Sequence, residues 1–242
     1  MAEMAAARVG VLERIAAACE RVGRRPDEVT LVAVSKTVPL ERLRLALVAG
    51  HDILGENRVQ EAASKIPALR AAQWHLIGHL QKNKAARAIE LFDVIEAVDS
   101  LAIATRLDRL FAQRPGLVAE DRLPVYLQVN VDADPAKQGF ALDALGGELE
   151  ALLALPRLEL RGLMTVGWLA GDPEAARPTF ARLRQLSEAL RATHAGLGAG
   201  LSMGMSDDFE IAIEEGSTLV RVGRALFGER PIPAQTSSTD AR

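Results

Sequence analysis

The chain has 242 residues, 49% hydrophobic and 25% charged, so it can bury a full core. Lys and Arg number 29 against 32 Asp and Glu, and this net charge of −3 disfavours a domain built mainly to grip nucleic acid. A lone cysteine, Cys19, excludes an internal disulfide, and no apolar run approaches the ~20 residues of a membrane helix.

The opening segment, Ala5 to Val22, carries Val11, Leu12, Ile15, Ala16 and Cys19 at helical spacing. The first residues, Met1 to Gly10, lack the charged-then-apolar order of a signal peptide, which points to a cytoplasmic protein without a membrane anchor. Short β-branched runs then alternate with Ala/Leu/Arg-rich stretches. The first strand is read at Val29 to Ser35, the second at His51 to Leu54, the third at Gln73 to Ile77 and the fourth at Asp93 to Val98. The fifth is read at Val125 to Val131, the sixth at Leu158 to Val166, the seventh at Gly200 to Met203 and the eighth at Ser217 to Val222. A helical stretch follows each of the first seven. Parallel strands need such crossovers, and eight of them close a barrel. The expected architecture is a single α/β domain, a (β/α)8 TIM-type barrel over residues 1–230 with an extra N-terminal helix. A doubly wound open sheet is the competing fold. No G-x-G-x-x-G follows the first strand, which weakens its dinucleotide-binding version. Residues 231–242, Pro-rich and then polar, read as a disordered tail.

A barrel builds its site at the C-terminal ends of its strands. Lys36 ends the first strand, after the apolar run Leu31 to Val34. Partial desolvation there favours a neutral amine suited to carbonyl chemistry; a lysine snorkelling to water is the alternative. Gly204-Met205-Ser206 and Gly223-Arg224 follow the seventh and eighth strands, where barrels often bind phosphate. Ser206, Asp207 and Asp208 equally suit a helix cap. Alternation places Leu219, Arg221 and Gly223 on one face, so Arg221 points into the barrel, toward a ligand or a structural acid. His75 and His79 have i, i+4 spacing, but Gly78 and the strand break the helix that a metal pair needs, so no metal site is assigned. Trp74 and Trp168 read as packing residues.

With these residues in view, the chain resembles the pyridoxal phosphate homeostasis protein family from about residue 8 to 230. The matching segments are Leu31–Thr37, Gly55–Glu61, Trp74–Lys84, Gly162–Gly167, Leu201–Asp208 and Val220–Gly228. The family is similar in fold to the barrel domain of alanine racemase. The resemblance implies that Lys36 holds pyridoxal 5′-phosphate (PLP) as a Schiff base. It implies that Ser206 and the backbone N–H groups of Gly223 and Arg224 cradle the phosphate, and that Arg221 faces the pyridine nitrogen. Asn57, His79 and Met203 are implied as lining residues. No catalytic residue is assigned. The length leaves no room for the further domain that gives alanine racemase its catalytic tyrosine, and the one tyrosine, Tyr126, falls inside a strand. The expected function is a non-catalytic PLP carrier or buffer, monomeric, in transient contact with PLP-dependent apoenzymes. The alternatives are a PLP enzyme acting on an amino acid and a phosphosugar barrel enzyme using the Lys36 amine itself. Lys137 is a secondary candidate for the aldehyde.

Overall fold

In the computed structural model, residues 2–167 and 172–229 are described. The expected tail at 231–242 and Trp168 lie outside these residues.

The chain opens with α1 (Ala2–Arg21), then runs β1 (Thr30–Val34), α2 (Leu40–Val48), β2 (Ile53–Glu56), α3 (Val59–Lys65) and β3 (Gln73–Leu76). It continues through α4 (Ala85–Leu91), β4 (Val94–Val98), α5 (Leu101–Phe111), β5 (Leu123–Asn130), the two-residue β6 (Phe140–Ala141) and α6 (Leu145–Leu153). It ends with β7 (Leu158–Met164), α7 (Arg177–Thr193), β8 (Gly200–Ser202), α8 (Phe209–Glu214), β9 (Leu219–Val222) and α9 (Arg224–Phe227). The strands are parallel and pair in the order β4-β3-β2-β1-β9-β8-β7-β5, and β4 pairs with β5 to close the ring. β6 pairs only with β5, outside the ring. The fold is therefore the eight-stranded barrel, not the open sheet.

Each strand has at least one end shifted by one or two residues from expectation, and two of the shifts have a clear local cause. The second strand starts at Ile53, because the His51 amide still bonds back to the Ala46 carbonyl (3.0 Å) at the end of α2. The last starts at Leu219, because the Ser217 hydroxyl satisfies main-chain carbonyls of Met203 (2.8 Å) and Leu219 (3.0 Å) at the turn before it. β7 and β8 approach so closely that a Cβ at Gly162 would sit 1.8 Å from the Gly200 carbonyl oxygen.

Apolar residues fill two regions. The larger lies between strands and helices, and α1 contributes Met4, Val11, Ile15, Ala18 and Cys19 to it. Arg14–Glu210 and Arg21–Glu214 ion pairs, each 2.6 Å, tie α1 to α8. Trp74 packs in this layer, its indole N–H donating to the Leu69 carbonyl (3.2 Å). The smaller cluster unites Val32, Val94, Tyr126, Met164 and Leu219 inside the barrel. Among the described residues no helix is long and apolar enough to cross a membrane.

One buried group makes stability depend on pH. His51 lies against Phe227, with ring centroids 6.0 Å apart, and burial, helped by nearby Arg8, pushes its imidazole down to about 4. Unfolded, the same ring takes up a proton near its ordinary 6.5. Its stabilisation is therefore full above pH 6.5 and declines as pH falls toward 4. Urea melts at about pH 7.5 and about pH 4.5 should differ by roughly 2–3 kcal/mol more in wild type than in His51→Leu. Equal pH dependence in the two proteins refutes this role.

Candidate functional site

A cavity of about 690 Å³ opens at the C-terminal ends of the strands, within the range of small-ligand sites. Lys36, Asn57, Ser206, Arg221, Gly223 and Arg224 line it, so the structure gathers six of the eight residues named from sequence. β1, β2 and β9 deliver Lys36, Asn57 and Arg221–Gly223 through the direct pairing of β1 with the other two. Gly204 permits the turn that brings Ser206 back to them. Its φ is +95°, and a Cβ there would lie 2.6 Å from that of Ala212.

Ser206 faces the start of α9, not that of α8. Its hydroxyl oxygen accepts the backbone N–H of Gly223 (3.2 Å) and of Ala225 (3.4 Å). Asp207 pairs instead with the Arg224 guanidinium. The buried Asp208 carboxylate accepts the Met205 N–H (2.6 Å) and braces the turn, and burial, outweighing that bond and nearby Arg221, pushes the carboxyl above its ordinary range. The Ser206 oxygen thus accepts two main-chain N–H groups, and its own hydroxyl hydrogen is left to donate beside the cavity, as a phosphate oxygen would require.

Arg221 is buried, 4% exposed, and held by a chain of polar groups inside the barrel. It donates to the Ser202 hydroxyl and to the Thr165 carbonyl (2.7 Å). Ser202 donates to Glu96 Oε2 (2.6 Å), and the His75 ring Nδ1 lies 2.6 Å from Glu96 Oε1. Arg221 and Glu96 are 3.8 Å apart. Burial pushes the Glu96 carboxyl up, but His75, Arg221 and Ser202 outweigh it and hold it below the usual carboxylate range. The structural-acid reading of Arg221 is therefore met, and the residue lines the cavity as well.

A second buried network lies behind Lys36. Lys65 Nζ donates to Glu56 (2.7 Å), Glu61 (2.7 Å) and the Ser35 carbonyl (2.8 Å), and the Ser35 hydroxyl also donates to Glu56 (2.7 Å). Burial keeps the Glu56 carboxyl above its ordinary value, and Lys65 and Ser35 recover only part of that rise.

Two of the named residues lie elsewhere. Met203 does not line the cavity. Ser202 takes the inward slot on β8, which turns Met203 outward into the helix-facing core, and Met205 lines the cavity in its place. His79 also misses the cavity. A Cβ at Gly78 would meet the Asn57 carbonyl oxygen at 2.5 Å, and just beyond this contact His79 Nδ1 pairs with Asp99 (2.7 Å). Both border a separate hollow of about 340 Å³ shared with Lys137. Lys137 donates to the Val166 carbonyl (3.1 Å) and lies 3.7 Å from Asp132. Sequence reasoning missed Thr37 and Arg42, which line the cavity, and the supports Glu96, Ser202, Glu56 and Lys65. One signal was available: Glu96 is a lone charge within the apolar strand Val-Ile-Glu-Ala-Val.

A family model described as the alanine racemase N-terminal domain matches residues 11–231. The pyridoxal phosphate homeostasis protein of Pseudomonas aeruginosa is 44% identical over 229 residues, spanning 94% of this chain and 96% of its own. The chain belongs to the pyridoxal phosphate homeostasis protein family. Another relative, PipY of Synechococcus elongatus, was solved with PLP bound; it is 38% identical, with a TM-score of 0.77, over 90% of this chain and all of its own. An alanine racemase of Clostridium difficile shares the fold alone, at 17% identity and a TM-score of 0.70, over 92% of this chain and 56% of its own.

Proposed function

We propose that this protein binds PLP through Lys36 and hands it on to other amines, acting as an intracellular carrier rather than as an enzyme. The observation that carries this reading is the shared cavity, where Lys36, the Ser206 hydroxyl and a buried Arg221 line one space. The residues present fit the group: a primary amine, a hydroxyl left to donate and a cation offering only donors.

When bound, PLP supplies an aldehyde that a primary amine attacks with loss of water, and a pyridine ring that draws electrons best with its nitrogen protonated. Lys36 supplies the amine. Ser206 and the amides of Gly223 and Arg224 would take the phosphate, Gly223 giving up the bond it makes to the Ser206 oxygen, and Asn57 borders the same space. Arg221 offers only hydrogen-bond donors, so a ring nitrogen facing it would stay an unprotonated acceptor. That arrangement would grip the ring while weakening its capacity to stabilise a carbanion.

Tyr126 supports the non-catalytic reading. It is buried inside the barrel, and burial together with Glu96 pushes its hydroxyl up to about 12. Such a phenol stays protonated near neutrality and is unsuited to be a second base. The acceptors in this reading are free amines and the active-site lysines of PLP-dependent apoenzymes, met by a monomer.

Borohydride reduction of the PLP complex, followed by peptide mapping, tests the site. The expected label is on Lys36. A main label on Lys137 or another lysine overturns the assignment, and alanine racemisation at ordinary enzymatic rates overturns the carrier reading.

A further inference from the structure

The geometry points to Glu61 and Lys65 as positioning residues that grip the backbone on both sides of Lys36 and hold Thr37 in a strained conformation. This rests on the reading of Lys36 as the PLP lysine.

Thr37 has a φ of +66°. That left-handed region is rare for a β-branched residue, whose Cβ crowds the backbone there. A residue in such a state persists only when its surroundings over-determine it. Here they do. The Glu61 carboxylate accepts the Thr37 N–H at 2.6 Å, immediately after Lys36. Immediately before it, the Ser35 carbonyl accepts from Lys65 Nζ at 2.8 Å. Glu61 and Lys65 sit one helical turn apart on α3 and are joined at 2.7 Å, so the two grips form one unit.

The unit is anchored in the barrel wall. Glu56, the last residue of β2, bonds Lys65 at 2.7 Å and is fully buried. The Lys65 side chain is only 9% exposed, so it is not an ordinary surface partner. Thr37 itself lines the cavity. Relaxing its φ would turn the chain at the point where Lys36 leaves the sheet, and would redirect the Lys36 Cα–Cβ bond. Burial pushes the Glu61 carboxyl up, but Lys65 and the Thr37 amide outweigh this, and it stays below the ordinary range, charged and able to accept.

The test titrates the full chain with PLP and follows the visible absorbance band. Glu61→Ala should weaken PLP binding about 10-fold, the scale of releasing one strained residue. Glu61→Gln keeps an oxygen that can accept the Thr37 N–H and should stay within about 3-fold of wild type. The decisive variant is Glu61→Ala with Thr37→Gly. Glycine adopts positive φ at no steric cost, so this pair should recover most of the lost affinity. A merely structural Glu61 would not be rescued this way, because glycine adds no contact and loosens the unfolded chain.

Wild-type affinity in Glu61→Ala overturns the proposal, and so does a weakened Glu61→Ala that Thr37→Gly fails to restore. Should Glu61→Ala not fold, hydrogen exchange at the wild-type Thr37 amide decides. Slow exchange is expected, and exchange at the rate of an open peptide overturns the grip. A borohydride label away from Lys36 refutes the reading beneath the proposal. A label on Lys36 beside an unaltered Glu61→Ala refutes the grip alone.

Discussion

Lys36→Ala should abolish the visible band that PLP gives with the wild-type protein. The cavity keeps its other polar groups in this variant, including the Ser206 hydroxyl and the Arg221 guanidinium. Phosphate contacts alone hold the ligand without a covalent bond, whereas condensation with an amine, itself reversible, adds one. Affinity should therefore fall at least about 100-fold, with residual binding competed by inorganic phosphate. Lys36→Arg separates charge from chemistry, since it keeps the cation and cannot condense at neutral pH. It should behave like the alanine variant in the visible spectrum. A band of wild-type intensity in either variant would move the chemistry to another lysine. Lys36 is half-buried at the strand end, and melting curves of both variants separate lost binding from unfolding.

Arg221→Ala should cost the fold itself about 3–5 kcal/mol, because it leaves the Glu96 carboxylate buried with its cation removed. The Ser202 hydroxyl and the Thr165 carbonyl lose their donor at the same time. For a chain of this size the melting temperature should drop by roughly 6–20 °C. The partner variant identifies the cause. Arg221→Ala with Glu96→Gln removes both charges and should lose less than Arg221→Ala alone, since the remaining amide needs only hydrogen bonds. Urea unfolding of both variants checks this. A loss under about 1 kcal/mol in Arg221→Ala would mean that Glu96 is stabilised by His75 and Ser202 without the arginine. The pair also predicts a sign with pH. Glu96 titrates below its ordinary range in the folded protein, so its contribution is present above the unfolded value of 4.5 and is lost as pH falls through the lower folded value.

The barrel could be read from sequence because its signal is repeated eight times, and errors of one or two residues at strand ends do not alter the count. Arg221 was readable for a related reason: a period of two fixes its face once Val220 and Val222 are assigned to the helix side. Met203 was named on the resemblance alone, and the same alternation turns it away from the cavity. The seventh strand was read through to Met203, whereas β8 stops at Ser202, which already occupies the inward face. His79 shows a different limit. Where it goes depends on a close contact between Gly78 and Asn57, residues from two loops that no local pattern connects. Lys65 was the least readable of all. One turn after Glu61 on α3, it has the signature of a surface helix pair, and only the packing of α3 against β1 and β2 buries it.

The polar chain beneath the cavity has a further consequence. Arg221, Ser202, Glu96 and His75 bond to one another and to the main chain, so none of them depends on a guest for its position. A site whose floor is already fastened behaves as a rigid seat. Loading and unloading it need no repacking of the interior, and the work of each exchange is confined to the rim. That mechanical economy is what the proposed carrier role asks of a seat filled and emptied many times.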